Sequence, residues 1–144
     1  MSAIVNHVGL AVSDLAASRR FYEEVFGFEF KNEATFPDAA TTKLFAMDGP
    51  LGLHVVYLQR DGWVLELLGF DDTSTAPRRE RAMNEPGLTH LSICVDDVAA
   101  ACAAAVALGG LHLPEQGFTG LVEMVRDPDG QLIEVLPMGY RDGL

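Results

Sequence analysis

Two cysteines in 144 residues are too few for a disulfide framework, and Cys94 and Cys102 form no Cys-x-x-Cys pair. Both read as small buried apolar residues rather than nucleophiles. Basic residues are also scarce: ten Lys and Arg stand against 21 Asp and Glu, a formal net charge of −11. Nucleic acid and anionic membrane surfaces attract basic patches, so neither is an expected partner. No segment approaches the roughly 20 apolar residues of a membrane span. Residues 1–7 lack the positive stretch and long apolar run of a secretory signal. The expectation is a cytoplasmic protein with a small-molecule partner. Its length suits one domain, burying about 70% of the surface that the unfolded chain exposes.

What the chain does have is an internal repeat, which has to be settled before any local reading. His7-Val-Gly-Leu-Ala-Val-Ser-Asp14-Leu15 is matched, 83 residues later, by His90-Leu-Ser-Ile-Cys-Val-Asp-Asp97-Val98, and Gly27 by Gly110. A second motif closes each half: Asp61-Gly-Trp-Val-Leu-Glu66 and Asp129-Gly-Gln-Leu-Ile-Glu134. The unit is too long for a solenoid and fits a supersecondary module paired with its twin.

Periodicity places the elements. Residues 4–12 are rich in β-branched side chains and stop at Ser13-Asp14, a helix N-cap signal. Leu15, Ser18, Tyr22, Val25 and Phe26 then recur at helical spacing up to Gly27. Extended segments are expected near 28–33, 41–47, 53–60 and 63–69, with Asp61-Gly62 as a hairpin turn. In the second half a strand at 88–95 precedes a helix at 98–108 that Gly109-Gly110 ends. Strands near 111–113, 119–126 and 131–136 come next, with Asp127-Pro-Asp-Gly130 as the turn. Each half is a βαβββ unit: module 1 at about 3–70, a linker at about 71–87 and module 2 at about 88–138, together one domain over 1–144.

Strand phase puts His7 on one face with Gly9 and Ala11, and His90 with Ser92 and Cys94. Those small neighbours leave room for a ligand. Glu66 and Glu134 stand inside apolar runs, where an ionised carboxylate is costly unless it is paired or bound to a cation. Taken singly, each of these residues reads as a satisfied core histidine or an edge-strand glutamate. Two of the chain's four histidines and two glutamates in matched positions instead point to a divalent metal held by His7, Glu66, His90 and Glu134. His54 is read as filling a surface position and His112 as structural, while Phe45, Met47 and Tyr57 are read as core or pocket lining. In the linker, Arg78, Arg79 and Arg81 read either as a solvated connection or as a basic lip that steers a carboxylate or phosphate.

The chain resembles the vicinal oxygen chelate superfamily, which includes glyoxalase I, methylmalonyl-CoA epimerase, extradiol dioxygenases, fosfomycin-resistance enzymes and bleomycin-binding proteins. The resemblance is carried by the His7 motif with Phe21-Tyr22 and Phe26-Gly27, by Pro86-Gly-Leu-Thr-His90-Leu-Ser-Ile, and by Arg126-Asp-Pro-Asp-Gly-Gln-Leu-Ile-Glu134. It implies an α+β fold in which two tandem βαβββ modules form an incomplete eight-stranded barrel, the glyoxalase-like fold. One divalent ion (Ni, Co, Zn, Mn or Fe) would be held by His7, Glu66, His90 and Glu134.

A His, Glu, His, Glu set resembles bacterial-type glyoxalase I. The epimerases commonly carry Gln at the position of Glu66. The resemblance therefore implies a lyase or isomerase, one that removes a proton beside the carbonyl of a small carbonyl or thioester compound through a metal-bound enediolate. Glu134 and Glu66 would be its catalytic carboxylates. An extradiol-type dioxygenase and a small-molecule or drug-binding protein are the alternatives. Arg19, Arg20, Arg60 and the linker arginines are available to grip glutathione, but no motif places them there. A homodimer is also implied. The first half is the longer one, with 59 residues from His7 to Glu66 against 44 from His90 to Glu134, so the excess around 32–60 is expected to shape the substrate entrance.

Overall fold

Asp14 ends a short strand and starts a helix in one move, its Oδ1 accepting from the Ala17 amide at 2.9 Å. In the computed structural model, which describes residues 2–71, 76, 78, 79, 81–118 and 121–143, that strand is β1 (Val8–Val12) and that helix α1 (Leu15–Phe26). Next come β2 (Glu29–Thr35), α2 (Asp38–Phe45), β3 (His54–Arg60) and β4 (Trp63–Gly69). They build a four-stranded sheet of order β1-β4-β3-β2 in which β1 runs parallel to β4 and the other pairs are antiparallel. Asp61 and Gly62, both at positive φ (54° and 82°), form the β3–β4 turn that their sequence forecasts.

The second half repeats the plan with β5 (Leu91–Val95), α3 (Val98–Ala107), β6 (Leu111–His112), β7 (Glu123–Arg126) and β8 (Leu132–Pro137). Its sheet has the order β5-β8-β7-β6, the same connectivity as the first. Asp97 caps α3 by accepting from the Ala100 amide at 2.9 Å. The β7–β8 turn is folded around Asp127, whose Oδ1 accepts from the amides of Asp129 (3.0 Å) and Gln131 (2.7 Å). Two four-stranded sheets with three helices give the α+β, eight-stranded count that the repeat implies, and both sheets are open. No helix among the described residues is long and apolar enough to cross a membrane.

Three expectations are corrected. The strand expected at 41–47 is instead helix α2 with its C-cap, Ala46, in the left-handed region. Thr41 and Thr42 look like strand residues because they are β-branched, but both hydroxyls donate back to the Asp38 carbonyl. Asp38 in the first turn and Lys43 in the last suit the helix dipole. Secondly, the strand expected at 4–12 begins only at Val8, and Ile4 and Val5 stand 93% and 84% exposed. Thirdly, of the strand expected at 119–126, β7 covers Glu123–Arg126, and Phe118 and Val122 form an isolated bridge ahead of it. Residues 119 and 120 of that strand, and 72–75, 77 and 80 of the linker, lie outside the described residues.

The chain divides into two compact units, Met1–Arg19 with Gly27–Ala76, and Arg20–Phe26 with Pro77–Leu144. The first is centred on Leu51, Val55, Leu58, Leu65 and Leu67, each at most 1% exposed. The second holds Val125, Ile133 and Val135 together with Phe21 and Tyr22, all fully buried. Each such side chain contributes about 1.5–3 kcal/mol of transfer free energy. Gly110 is a close-approach position there, because an added Cβ would lie 2.4 Å from the Arg126 carbonyl oxygen and 2.9 Å from the Phe21 ring. Tyr22 donates to Asp127 Oδ2 at 2.9 Å. Burial pushes the phenol well above its usual range, and the Asp127 charge pushes the same way.

Candidate active site: two histidine–glutamate pairs

In the first unit the parallel register sets Glu66 beside Gly9, and the antiparallel register sets it beside Tyr57. Gly9 is small for a visible reason: a Cβ there would sit 3.1 Å from Glu66 Oε2 and 3.2 Å from Leu68 Cδ1. Tyr57 donates its hydroxyl to Oε1 at 2.7 Å, and His7 Nε2 stands 3.2 Å from Oε2. The imidazole meets the Tyr57 ring edge-on at 6.0 Å. Burial, followed by the hydrogen bond to Glu66, raises the Tyr57 pKa to about 12, so the phenol remains a donor across the physiological range. His7 precedes β1 rather than lying within it, and its Nδ1 is 2.7 Å from Asn6 Oδ1.

The second unit repeats the pair. Ser92 occupies the position of Gly9, in register with Glu134, and donates its hydroxyl to Glu134 Oε2 at 2.6 Å. His90 Nε2 stands 3.8 Å from the same oxygen, and His90 Nδ1 is 2.9 Å from Thr89 Oγ1. Met124 takes the cross-strand place that Tyr57 has in the first unit. Both oxygens of Glu66 are therefore engaged. Among the described residues, only Oε2 of Glu134 is.

Strand phase agrees with the sequence: Leu65 and Leu67 are buried beside the partly exposed Glu66, and Ile133 and Val135 are fully buried beside Glu134. The Glu66 and Glu134 side chains keep 14% and 28% of their surface, enough to meet a ligand.

In both units the residue before the histidine supplies an oxygen to Nδ1, which leaves Nε2 facing a carboxylate. A neutral His7 with its proton on Nδ1 would set the Nε2 lone pair against Glu66 Oε2, two acceptors 3.2 Å apart. A proton or a cation relieves that repulsion. Two donors each about 2.1 Å from a metal and at right angles lie roughly 3 Å apart. Imidazole and carboxylate suit first-row divalent ions, and a ligand histidine that donates its other ring N–H to an oxygen is the usual supporting arrangement. The donor chemistry of each pair therefore fits a metal. Among the described residues no group of three or more His, Cys, Asp and Glu side chains is gathered.

Asn6, Thr89 and the contacts of Tyr57 and Ser92 were missed from sequence. Asn6 and Thr89 carry one available signal, since each immediately precedes a repeated histidine. The other two histidines stand in separate pairs. His54 is 3.6 Å from Glu33 at an exposed position, and His112 is 2.9 Å from the buried Glu123. Cys102 is buried, and that burial, with the Glu123 charge, raises its thiol pKa, against a nucleophilic role. Phe45 packs edge-on against Phe70, and Met47 is 40% exposed.

A family model for the glyoxalase/bleomycin resistance protein/dioxygenase superfamily matches residues 4–135. The chain belongs to this superfamily. Among its members, the lactoylglutathione lyase of Haemophilus influenzae is 29% identical, the match covering 90% of this chain and 89% of that one. The trypanothione-dependent glyoxalase I of Leishmania major superposes with a TM-score of 0.72 at 23% identity, covering 99% and 91% of the two chains. The fosfomycin resistance protein FosX of Listeria monocytogenes, solved with Mn(II) and sulfate, gives 0.65 at 19% identity, covering 98% of each chain. At these identities the two structural likenesses are of fold.

Proposed function

We propose that this superfamily member is a metal-dependent lyase or isomerase that shifts a proton beside the carbonyl of a small carbonyl or thioester compound. Its ligands would be His7, Glu66, His90 and Glu134, its cofactor one divalent ion (Ni, Co, Zn, Mn or Fe), and its proton-transferring groups Glu134 and Glu66. The observation that carries this reading is the repeated His–Glu pair at matched register positions, with Nδ1 of each imidazole turned to an oxygen of the preceding residue. The lactoylglutathione lyase relatives support a lyase, and the manganese held by FosX supports a divalent ion.

A bound divalent ion supplies Lewis-acid polarisation of substrate oxygens. The chain's own groups divide the remaining work. Asn6 and Thr89 fix the imidazole orientations. Tyr57 holds Glu66 through Oε1, which makes it the more constrained carboxylate. Glu134, whose contacts among the described residues are both on Oε2, would use Oε1 to accept a proton from carbon and return it to the neighbouring carbon. Ser92 steadies the carboxylate while that happens.

The functional form is proposed to be a homodimer, with the exposed Ile4 and Val5 ahead of His7 as apolar surface for a second copy; light scattering on the purified protein tests this. The reaction is tested by assaying metal-reconstituted protein on hemithioacetals and on chiral acyl thioesters, wild type against Glu134→Gln. Loss of turnover with metal retained supports the assignment, and unchanged turnover refutes it.

A further inference from the structure

The second unit contains a cavity of about 640 Å³ whose walls carry Arg78, Arg79, Arg81 and Arg126. Half of the eight arginines of a chain with net charge −11 meet at this one place. Arg81 is occupied structurally, its guanidinium donating to the carbonyls of Glu85, Pro86 and Leu88 at 2.9–3.2 Å, with the Glu85 carboxylate 3.7 Å away. The other three have no carboxylate partner among the described residues. Arg78 donates to the Gln131 side-chain carbonyl at 3.1 Å and Arg126 to the Gly130 carbonyl at 2.8 Å, both uncharged partners. Among the described residues none of Arg78, Arg79 and Arg126 meets a carboxylate in an ion pair, and Asp129 is the one acidic residue lining the cavity. Guanidinium groups oriented by neutral oxygens keep both their charge and their fork of donors for an incoming oxyanion.

The cavity also lies beside the His90–Glu134 pair. Thr89, whose hydroxyl meets His90 Nδ1, is part of its wall, as is Leu132. Leu132 and Glu134 are two apart on β8 and so share a face, and Arg126 pairs with Leu132 as Met124 does with Glu134. One such step along a strand is about 7 Å. Met83 and Leu132 add apolar side chains to the lining.

We propose that this cavity is the specificity pocket for an anionic tail of the substrate. It would take a carboxylate or phosphate group separated by a short apolar stretch from the carbonyl carbon presented to Glu134. The proposal rests on the lyase or isomerase reading for the identity of that carbon, but the oxyanion site itself is independent of turnover. The linker arginines then select which carbonyl compounds are bound.

Calorimetric titration of the full-length protein, stripped of metal, with succinate in one arm and glycerol phosphate in the other separates the two oxyanion sources. The expected result is binding of one or both to wild type, weakened about tenfold in Arg79→Gln, restored in part by Arg79→Lys, and weakened by added salt. Arg79 is an exposed side chain with no structural bond among the described residues, so the variant is expected to fold as wild type does. Glu134→Gln should leave this binding intact. With a turned-over anionic substrate, Arg79→Gln should raise KM and leave kcat nearly unchanged. Equal affinity in wild type and Arg79→Gln, or binding of neither probe, overturns the pocket even if turnover persists. Anion binding without any turnover overturns the lyase or isomerase reading and leaves the pocket standing.

Discussion

Replacing Tyr57 by Phe removes one hydroxyl and nothing else, which isolates the bond that holds Glu66. That bond is 2.7 Å long and its acceptor is a carboxylate whose side chain is 14% exposed. Hydrogen bonds to charged groups contribute about 1.5–3 kcal/mol net, and water reaching Glu66 through its exposed fraction lowers the loss to roughly 1–2 kcal/mol. With an m-value on the order of 2 kcal/mol per molar urea, the unfolding midpoint should fall by about 0.5–1 M at unchanged m.

A pH series sharpens the test. The folded-state pKa of Tyr57 is raised to about 12 from the ordinary 10.0, so the folded state keeps a proton in that window that the unfolded state loses. The contribution is therefore fully present below pH 10 and declines as pH rises toward 12. The stability gap between wild type and Tyr57→Phe should be flat from about pH 7 to 9.5 and shrink above it. A midpoint shift under about 0.2 M, or a gap that widens above pH 10, would refute the reasoning.

Gly9→Ala places a Cβ 3.1 Å from Glu66 Oε2, so it should displace the carboxylate and weaken metal binding about tenfold while costing less than about 1 kcal/mol of stability; competition with a chromophoric chelator reads the affinity. Asp127→Ala strips the acceptor from two turn amides and from Tyr22, and should cost about 2–4 kcal/mol in urea unfolding. Asp127→Asn keeps an acceptor for the amides and should recover most of that loss. Oxygen uptake with a catechol panel should be nil, and measurable uptake would favour the dioxygenase alternative.

Much of the fold was legible in the repeat because its signals are local. Asp14 and Asp97 cap helices through amides three residues on, and Asp61-Gly62 makes its turn from its own backbone preferences. The phase of Glu66 and Glu134 came from alternation alone. Helix α2 was misread because Thr41 and Thr42 are β-branched, and their bonds back to Asp38 are satisfied only once a helix has formed. The Tyr57 and Ser92 contacts were hidden because they depend on strand register, which brings together residues 9 and 42 positions apart. Helical spacing showed that α1 has an apolar face but not that Phe21 and Tyr22 would be buried with the second unit.

Metal content bears most directly on the central claim that these histidine–glutamate pairs are ligands. Elemental analysis of protein reconstituted with each candidate ion and then desalted should give one divalent ion per chain, with the stoichiometry lost in His7→Ala and in His90→Ala. A wild type that retains no ion, or alanine variants that retain as much as wild type, would contradict the account.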